Sequence, residues 1–199
     1  RVYKSEYNVC CQLGGRVVAA LQTLLYKMLY HGREVNTAYV SGVSVAESLR
    51  GQDIGNNLMR QAHFRLYYKD VVFAALIPAE EWLYRWYAKC GYAQVMTCTP
   101  APADPMAVSF AEFDGIQRAR NCVLLHDEDG YDVIREDIRL AGDAYKPQSD
   151  DIPAMLRVVD AKKALALYAA THVGADMVLR VDGDADIPMN NAYYVLKDG

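Results

Sequence analysis

A chain of 199 residues, 52% apolar and 23% charged, can bury one good core or two small ones. Its net charge of −4 argues against a general binder of nucleic acid or anionic membranes. No apolar run approaches the roughly 18–20 residues of a membrane span and no signal peptide opens the chain, so the sequence reads as cytoplasmic, with no membrane contact.

The five cysteines, Cys10, Cys11, Cys90, Cys98 and Cys122, are odd in number and form no CxxC. They suggest neither a zinc site nor a disulfide framework, and read as small apolar residues in a reducing compartment. The chain opens without methionine and ends on strand-and-turn sequence, so either end is expected to be the remnant of a longer protein.

In chain order, "NVCCQL", "RVVAALQTLLYKMLY" and "EVNTAYVSGVSV" are separated by Gly14-Gly15 and His31-Gly32. Val, Leu and Tyr between turn pairs predict an antiparallel meander; helix propensity also claims the second segment, but its bounding turns favour strand. After Arg50, Ile54, Leu58, Ala62 and Leu66 recur every four residues, which predicts a helix from about Gly55 to Tyr68. "VVFAALI" reads as a strand buried on both faces. Pro78 is expected to open a second helix, with Glu80 and Glu81 in its first turn, Lys89 in its last and Gly91 as its stop. "YAQVMTC" follows as a strand, giving the order β-β-β-α-β-α-β. "TPAPADP" reads as a linker, "DEDGYDVIREDIRLAG" as a helix, and "YKPQSDDIP" as a polar break. Beyond it come a strand, "AMLRVV", a helix capped by Asp160, and two more strands, "DMVLRV" and "AYYVL".

The junction of "AYVSGVSV" with "RGQDIG" is where chemistry is expected. A strand leads into a helix whose first N–H groups lack internal acceptors, and such donors form an anion site with the helix dipole. The loop is neither GxxxxGK[ST] nor GxGxxG. It resembles the acetyl-CoA loop of the GNAT acyltransferase superfamily, Arg or Gln, two residues, Gly, one residue, then Gly or Ala. Here that is Arg50-Gly51-Gln52-Asp53-Ile54-Gly55, with Asp53 in place of the first glycine. "LYRWYAKCGYAQV" resembles the superfamily's later Tyr-x-x-x-Gly-aromatic element at Tyr87, Gly91 and Tyr92, and the likeness covers about residues 7–98. "HGREVNTAYVSGVSV", "LIPAEEWLYRWYAKCGY", "MLRVVDAKKALALYA" and "NNAYYVL" are further similar to acetyltransferases of the enhanced-intracellular-survival type.

The resemblance implies an α+β fold, a mostly antiparallel GNAT-like sheet flanked by helices, plus a smaller C-terminal α+β sterol-carrier-like segment. It implies a GNAT acetyl-CoA-binding domain over 1–98 that lacks its N-terminal elements. A linker with the remnant of a second GNAT-like region would span 99–152, and a truncated sterol-carrier-like segment 153–199. The family's terminal carboxylate helps catalysis; Gly199 is not expected to inherit that role. Val43, Ser44 and Val45 would pair with the pantetheine arm as an added strand. Arg50, Gly51, Gln52, Asp53, Ile54, Gly55 and Asn56 would hold the pyrophosphate, and Ala79 and Glu80 would add cofactor contacts. Tyr87 would give its proton to the departing thiolate, a phenol of pKa about 10 serving a thiol of about 8.5.

Asp53 is expected to cap the helix through its carboxylate and so compete for the donors a pyrophosphate needs, weakening but not abolishing binding. Each feature has a plainer reading: Tyr87 as core, Glu80 and Glu81 as partners of the helix dipole, a turn His31 beside Tyr30 and Tyr39 as solvated surface. His63, His126 and His172 suggest no metal, and the Asp182–Asp184–Asp186 run lacks a calcium loop's glycine and glutamate. The expected function is acetyl-CoA-dependent N-acetyl transfer to a small-molecule amine or a protein lysine, in a monomer or homo-oligomer. The rival is a non-catalytic module that binds CoA or an apolar ligand; transfer of a larger acyl group shares the same fold.

Overall fold

The structure is a computed structural model that describes residues 5–101 and 103–197. Gly199, and Pro102 of the expected linker, lie outside them.

The meander forms as its turns require: β1 (Asn8–Leu13), β2 (Arg16–Tyr30) and β3 (Arg33–Val45) pair antiparallel in sequence. The remaining strands of this sheet are β4 (Phe73–Leu76), β5 (Ala93–Cys98), β6 (Val123–Leu125) and β7 (Ile152–Val158). Their order is β1-β2-β3-β4-β7-β5, with β6 beside the far end of β2, and only β3 and β4 run parallel. Two further strands, β8 (Met177–Val181) and β9 (Ala192–Leu196), form a separate antiparallel pair.

The four-residue spacing after Arg50 gives α1 (Ile54–Tyr68), which buries Leu58, Met59, Ala62 and Leu66. These pack against Ala19 and Leu21 of β2 and Ala38 and Val40 of β3. The same cluster takes in Tyr87 of α2 (Glu81–Lys89) and Tyr92. On the other face of the sheet, Met28, Val72 and Phe73 meet Ala164 and Leu167 of α5 (Ala161–Thr171). Helices thus cover both faces of a mostly antiparallel sheet, an α+β architecture. No helix among the described residues is long and apolar enough to cross a membrane.

Three expectations need correction. The second helix starts at Glu81, not Pro78: Pro78 is buried and Glu80 is extended (φ −143°, ψ 151°), accepting the first helical bond from Leu83. The strand expected from Val71 begins at Phe73. Two elements between the linker and the predicted helix were not anticipated, α3 (Phe110–Arg118) and β6. The helix after them is α4 (Glu128–Ala141). β7 is hydrogen-bonded to β4 on one side and β5 on the other. All four residues of β4 are buried, so its second edge needs a partner, and β7 supplies it.

Candidate active site

The pairing of β3 with β4 covers only Thr37–Tyr39 against Phe73–Ala75. Beyond Tyr39 the two strands part, because β4 continues toward β7 through Leu76↔Met155 while β3 stays with β2 as far as Val45↔Ala19. A bulge helps to turn β3 aside. Three steps of β3, Ser41 to Ser44, oppose two of β2, Gln22 to Ala20, and Gly42 (φ +63°) takes up the extra residue. The edge of β3 over 40–45 therefore has no strand partner on the β4 side among the described residues. Val43 and Val45 are half-buried there and Ser44 is exposed. The crevice lies at the carboxyl ends of two parallel strands, where open α/β sheets bind ligands.

The loop from β3 to α1 closes one side. Arg50 donates from Nε to the Val45 carbonyl at 3.3 Å, folding the chain back over the strand end. Gly51 (φ +76°) and Asp53 (φ 62°, ψ 7°) are both left-handed. The side chain of Asp53 does not cap the helix, contrary to expectation. In this backbone geometry the carboxylate swings away from the amides and instead accepts from the Asn56 side chain. The helix starts with the Asn57 N–H on the Asp53 carbonyl, and the backbone N–H groups of residues 51–56 have no acceptor among the described residues. Gly51, Gln52 and Asp53 are exposed; Ile54, Gly55 and Asn56 are half-buried. Gly55 has a packing reason to be glycine: a Cβ there would sit 3.2 Å from the Trp86 ring and 3.6 Å from Val45.

Tyr87 stands in the last turn of α2, 7% exposed, its ring edge-on to Trp86 (4.8 Å between centroids) and to Tyr92 (5.9 Å). Its hydroxyl has no hydrogen-bond partner among the described residues. Burial pushes the phenol up to about 12, with Cys90 and Tyr39 adding to the rise. Ala79 and Glu80 are exposed on the segment that leads from β4 into α2; the Glu80 side chain caps nothing.

Behind this crevice lies a buried polar cluster that sequence reasoning missed. His63, fully buried on α1, contacts Asp186 through Nδ1 at 2.7 Å and the Tyr92 hydroxyl through Nε2 at 3.0 Å. Burial, which outweighs the pull of Asp186, holds this imidazole below its usual range and neutral. Arg157 of β7 donates from Nη1 to the Cys90 carbonyl and from Nη2 to Asp184, each at 2.6 Å. The acidic run is thus taken up by the protein's own side chains, with Asp182 on Arg180, Asp184 on Arg157, and Asp186 on Arg60 and the neutral His63. Among the described residues no group of three His, Cys, Asp or Glu side chains is placed to hold a metal. The one signal in the sequence was the run of alternating aspartates itself.

A parted parallel strand pair, a bulged strand edge and a helix opening with unaccepted amides thus meet at one place in the fold. Residues 1–95, just under half of the chain, match the acetyltransferase (GNAT) domain family. A domain of that family belongs to an acetyl-transferring enzyme. Comparison with curated proteins gives no match. Among solved structures the chain is similar to Eis1 from Mycobacterium abscessus, with a TM-score of 0.64 and 14% identity over 98% of this chain and 75% of that one. It is also similar to a GCN5-related N-acetyltransferase from Anabaena variabilis (TM-score 0.63, 15% identity, 96% and 73% covered). A third, from Kribbella flavida, has a TM-score of 0.56 and 17% identity, with 94% and 70% covered. At these identities the likeness is one of fold.

Proposed function

We propose that the protein transfers an acetyl group from acetyl-CoA directly to a primary amine, of a small molecule or of a protein lysine. The observation that carries this reading is the row of unaccepted N–H groups over residues 51–56 at the mouth of the crevice between β3 and β4. Six donors, helped by the dipole of α1, suit a pyrophosphate. The unpaired edge of β3 through Val43, Ser44 and Val45 suits an amide-bearing arm laid beside it. Ala79 and Glu80 would flank the same opening.

Tyr87 is the proposed acid. With its phenol at about 12, protonation of a thiolate whose thiol has a solution pKa of about 8.5 would run uphill. Cys90, packed in the same core, shows what the site does to a thiol: burial and nearby Asp186 push it up to about 11. A departing thiolate held in dry surroundings would rise in the same direction, which narrows the gap between acid and leaving group. The amine must reach the site neutral, so a side chain or water must take its proton. The C-terminal residues around β8 and β9 carry the sterol-carrier-like assignment on strand–helix–strand–strand order alone, and a cytoplasmic location rests on composition.

A binding module without catalysis is favoured by one observation, the nearly complete burial of Tyr87. Calorimetry with acetyl-CoA and a thiol-release assay against a panel of amines separate the two. Transfer predicts binding and turnover, with Tyr87→Phe lowering kcat by about tenfold to a hundredfold at unchanged cofactor affinity. Binding without thiol release would establish the module, and full activity in Tyr87→Phe would remove the phenol from the mechanism.

A further inference from the structure

The turn that ends α2 is held from outside by the loop between β8 and β9. Arg157 is 7% exposed and lies in the space a side chain at Gly91 would need: an ideal Cβ there falls 1.9 Å from Nη1. Gly91 is left-handed as well (φ +85°), so the glycine serves both the backbone and the guanidinium. Arg157 Nη1 bonds the carbonyl of Cys90, the residue that caps α2, placing a positive charge at the negative end of the helix. Among the described residues the buried Nε of Arg157 has no partner, and the group is held through its two other nitrogens.

The charge of Arg157 is met by Asp184, which also accepts from the backbone N–H groups of Asp186 and Ile187 and from Asn190. A second route starts from the same loop: Asp186 holds His63, His63 holds the Tyr92 hydroxyl, and the Tyr92 ring meets that of Tyr87. Between them, the Tyr87 carbonyl accepts from the N–H groups of Cys90 (2.9 Å) and Tyr92 (3.1 Å). Two independent chains of contacts therefore run from the Asp184–Asp186 loop to the turn that carries Tyr87.

We infer that Arg157 is a positioning residue. Anchored by Asp184, it locks the last turn of α2 and so fixes the Tyr87 side chain that the turn carries, a role that rests on the acetyl-transfer reading. The consequence is that the C-terminal segment supplies part of the catalytic geometry of the N-terminal half.

Arg157→Lys is the discriminating variant. It keeps the charge that Asp184 and Asp186 require, and hence the fold, but replaces a two-pronged donor by a point charge that cannot serve Cys90 and Asp184 alike. The expected result is a fall of about tenfold to a hundredfold in kcat with acetyl-CoA affinity within about twofold of wild type. Amide hydrogen exchange at Cys90, Gly91 and Tyr92 should quicken while α1 amides stay protected. Asp184→Asn should move the same readouts in the same direction. A folded Arg157→Lys protein with unchanged exchange at residues 90–92, or with kcat and affinity lost in parallel, would overturn the inference. Should the wild type bind acetyl-CoA but transfer nothing, the acetyl-transfer reading falls, and with it the positioning role; the exchange measurement still decides whether Arg157 locks the turn.

Discussion

Asp53 holds a left-handed conformation without glycine's freedom. Asp and Asn visit this region more readily than other side chains, at a cost of order 1 kcal/mol, and the bond to Asn56 helps to hold it there. The expected competition between a capping carboxylate and a pyrophosphate therefore does not arise in the form anticipated, because the amides are left free. What remains is charge. In water a carboxylate near a doubly charged pyrophosphate opposes it by on the order of 1 kcal/mol, less at physiological salt. Asp53→Gly should consequently tighten acetyl-CoA by about threefold to tenfold in calorimetry. Stability should change little, since relief of the left-handed strain is offset by the larger unfolded-state entropy of glycine. An affinity unchanged at low salt would show that the carboxylate already faces away from the phosphates. The motif made this position legible in the sequence. The conformation was not, because the side chain's partner is chosen by a backbone angle that residue identity alone does not fix.

Elements were legible wherever local signals agreed. β2 is rich in helix formers, yet it is a strand because the turns at both ends and the partners they fold back onto decide the matter. α3 was missed although its start carries a complete capping box, Ser109 accepting from the Glu112 N–H and Glu112 accepting from the Ser109 N–H. The place of β7 could not be read: it lies between β4 and β5, about eighty residues from its β4 partners, and pairing at that separation leaves no local trace. The end of α2 shows why a short motif can depend on such a remote strand. Gly91→Ala would drive a methyl into Arg157 Nη1, and that group cannot withdraw without leaving Cys90 and Asp184. Left-handed strain adds to the cost. A loss of about 3 kcal/mol or more is expected from denaturant unfolding. A loss below about 1 kcal/mol would mean that the guanidinium can move aside freely.

At the scale of the molecule, the N-terminal half and the C-terminal segment share one core, since Ile187 is fully buried among residues of α1, β3 and α2, and Asn190 bonds Val159 and Ala161. The joint contains a proton-sensitive part. Burial holds both His63 and His126 below the usual histidine range, so each is neutral in the folded state at a pH where the unfolded chain begins to protonate. With depressed folded values, their contribution is complete above the unfolded value of about 6.5 and is lost as pH falls through the folded ones. Each group can add a slope of at most about 1.4 kcal/mol per pH unit in that window. The two act in different places. His126 stands beside Tyr26 and Phe113, near β6, whereas His63 links α1 to Asp186 and Tyr92. Protonation of His63 would give Nε2 a hydrogen that the Tyr92 hydroxyl must then accept, and would add a cation near Arg157. Chemical denaturation between about pH 7.5 and about pH 5.5 should show stability falling with acidity, and His126→Phe should remove only part of the slope. The part that remains belongs to His63 and should fall together with amide protection at residues 90–92, since the His63–Tyr92 bond reaches that turn. A flat profile in this range would mean that the imidazole keeps a proton in the fold, and that the bond to Asp186 outweighs its burial.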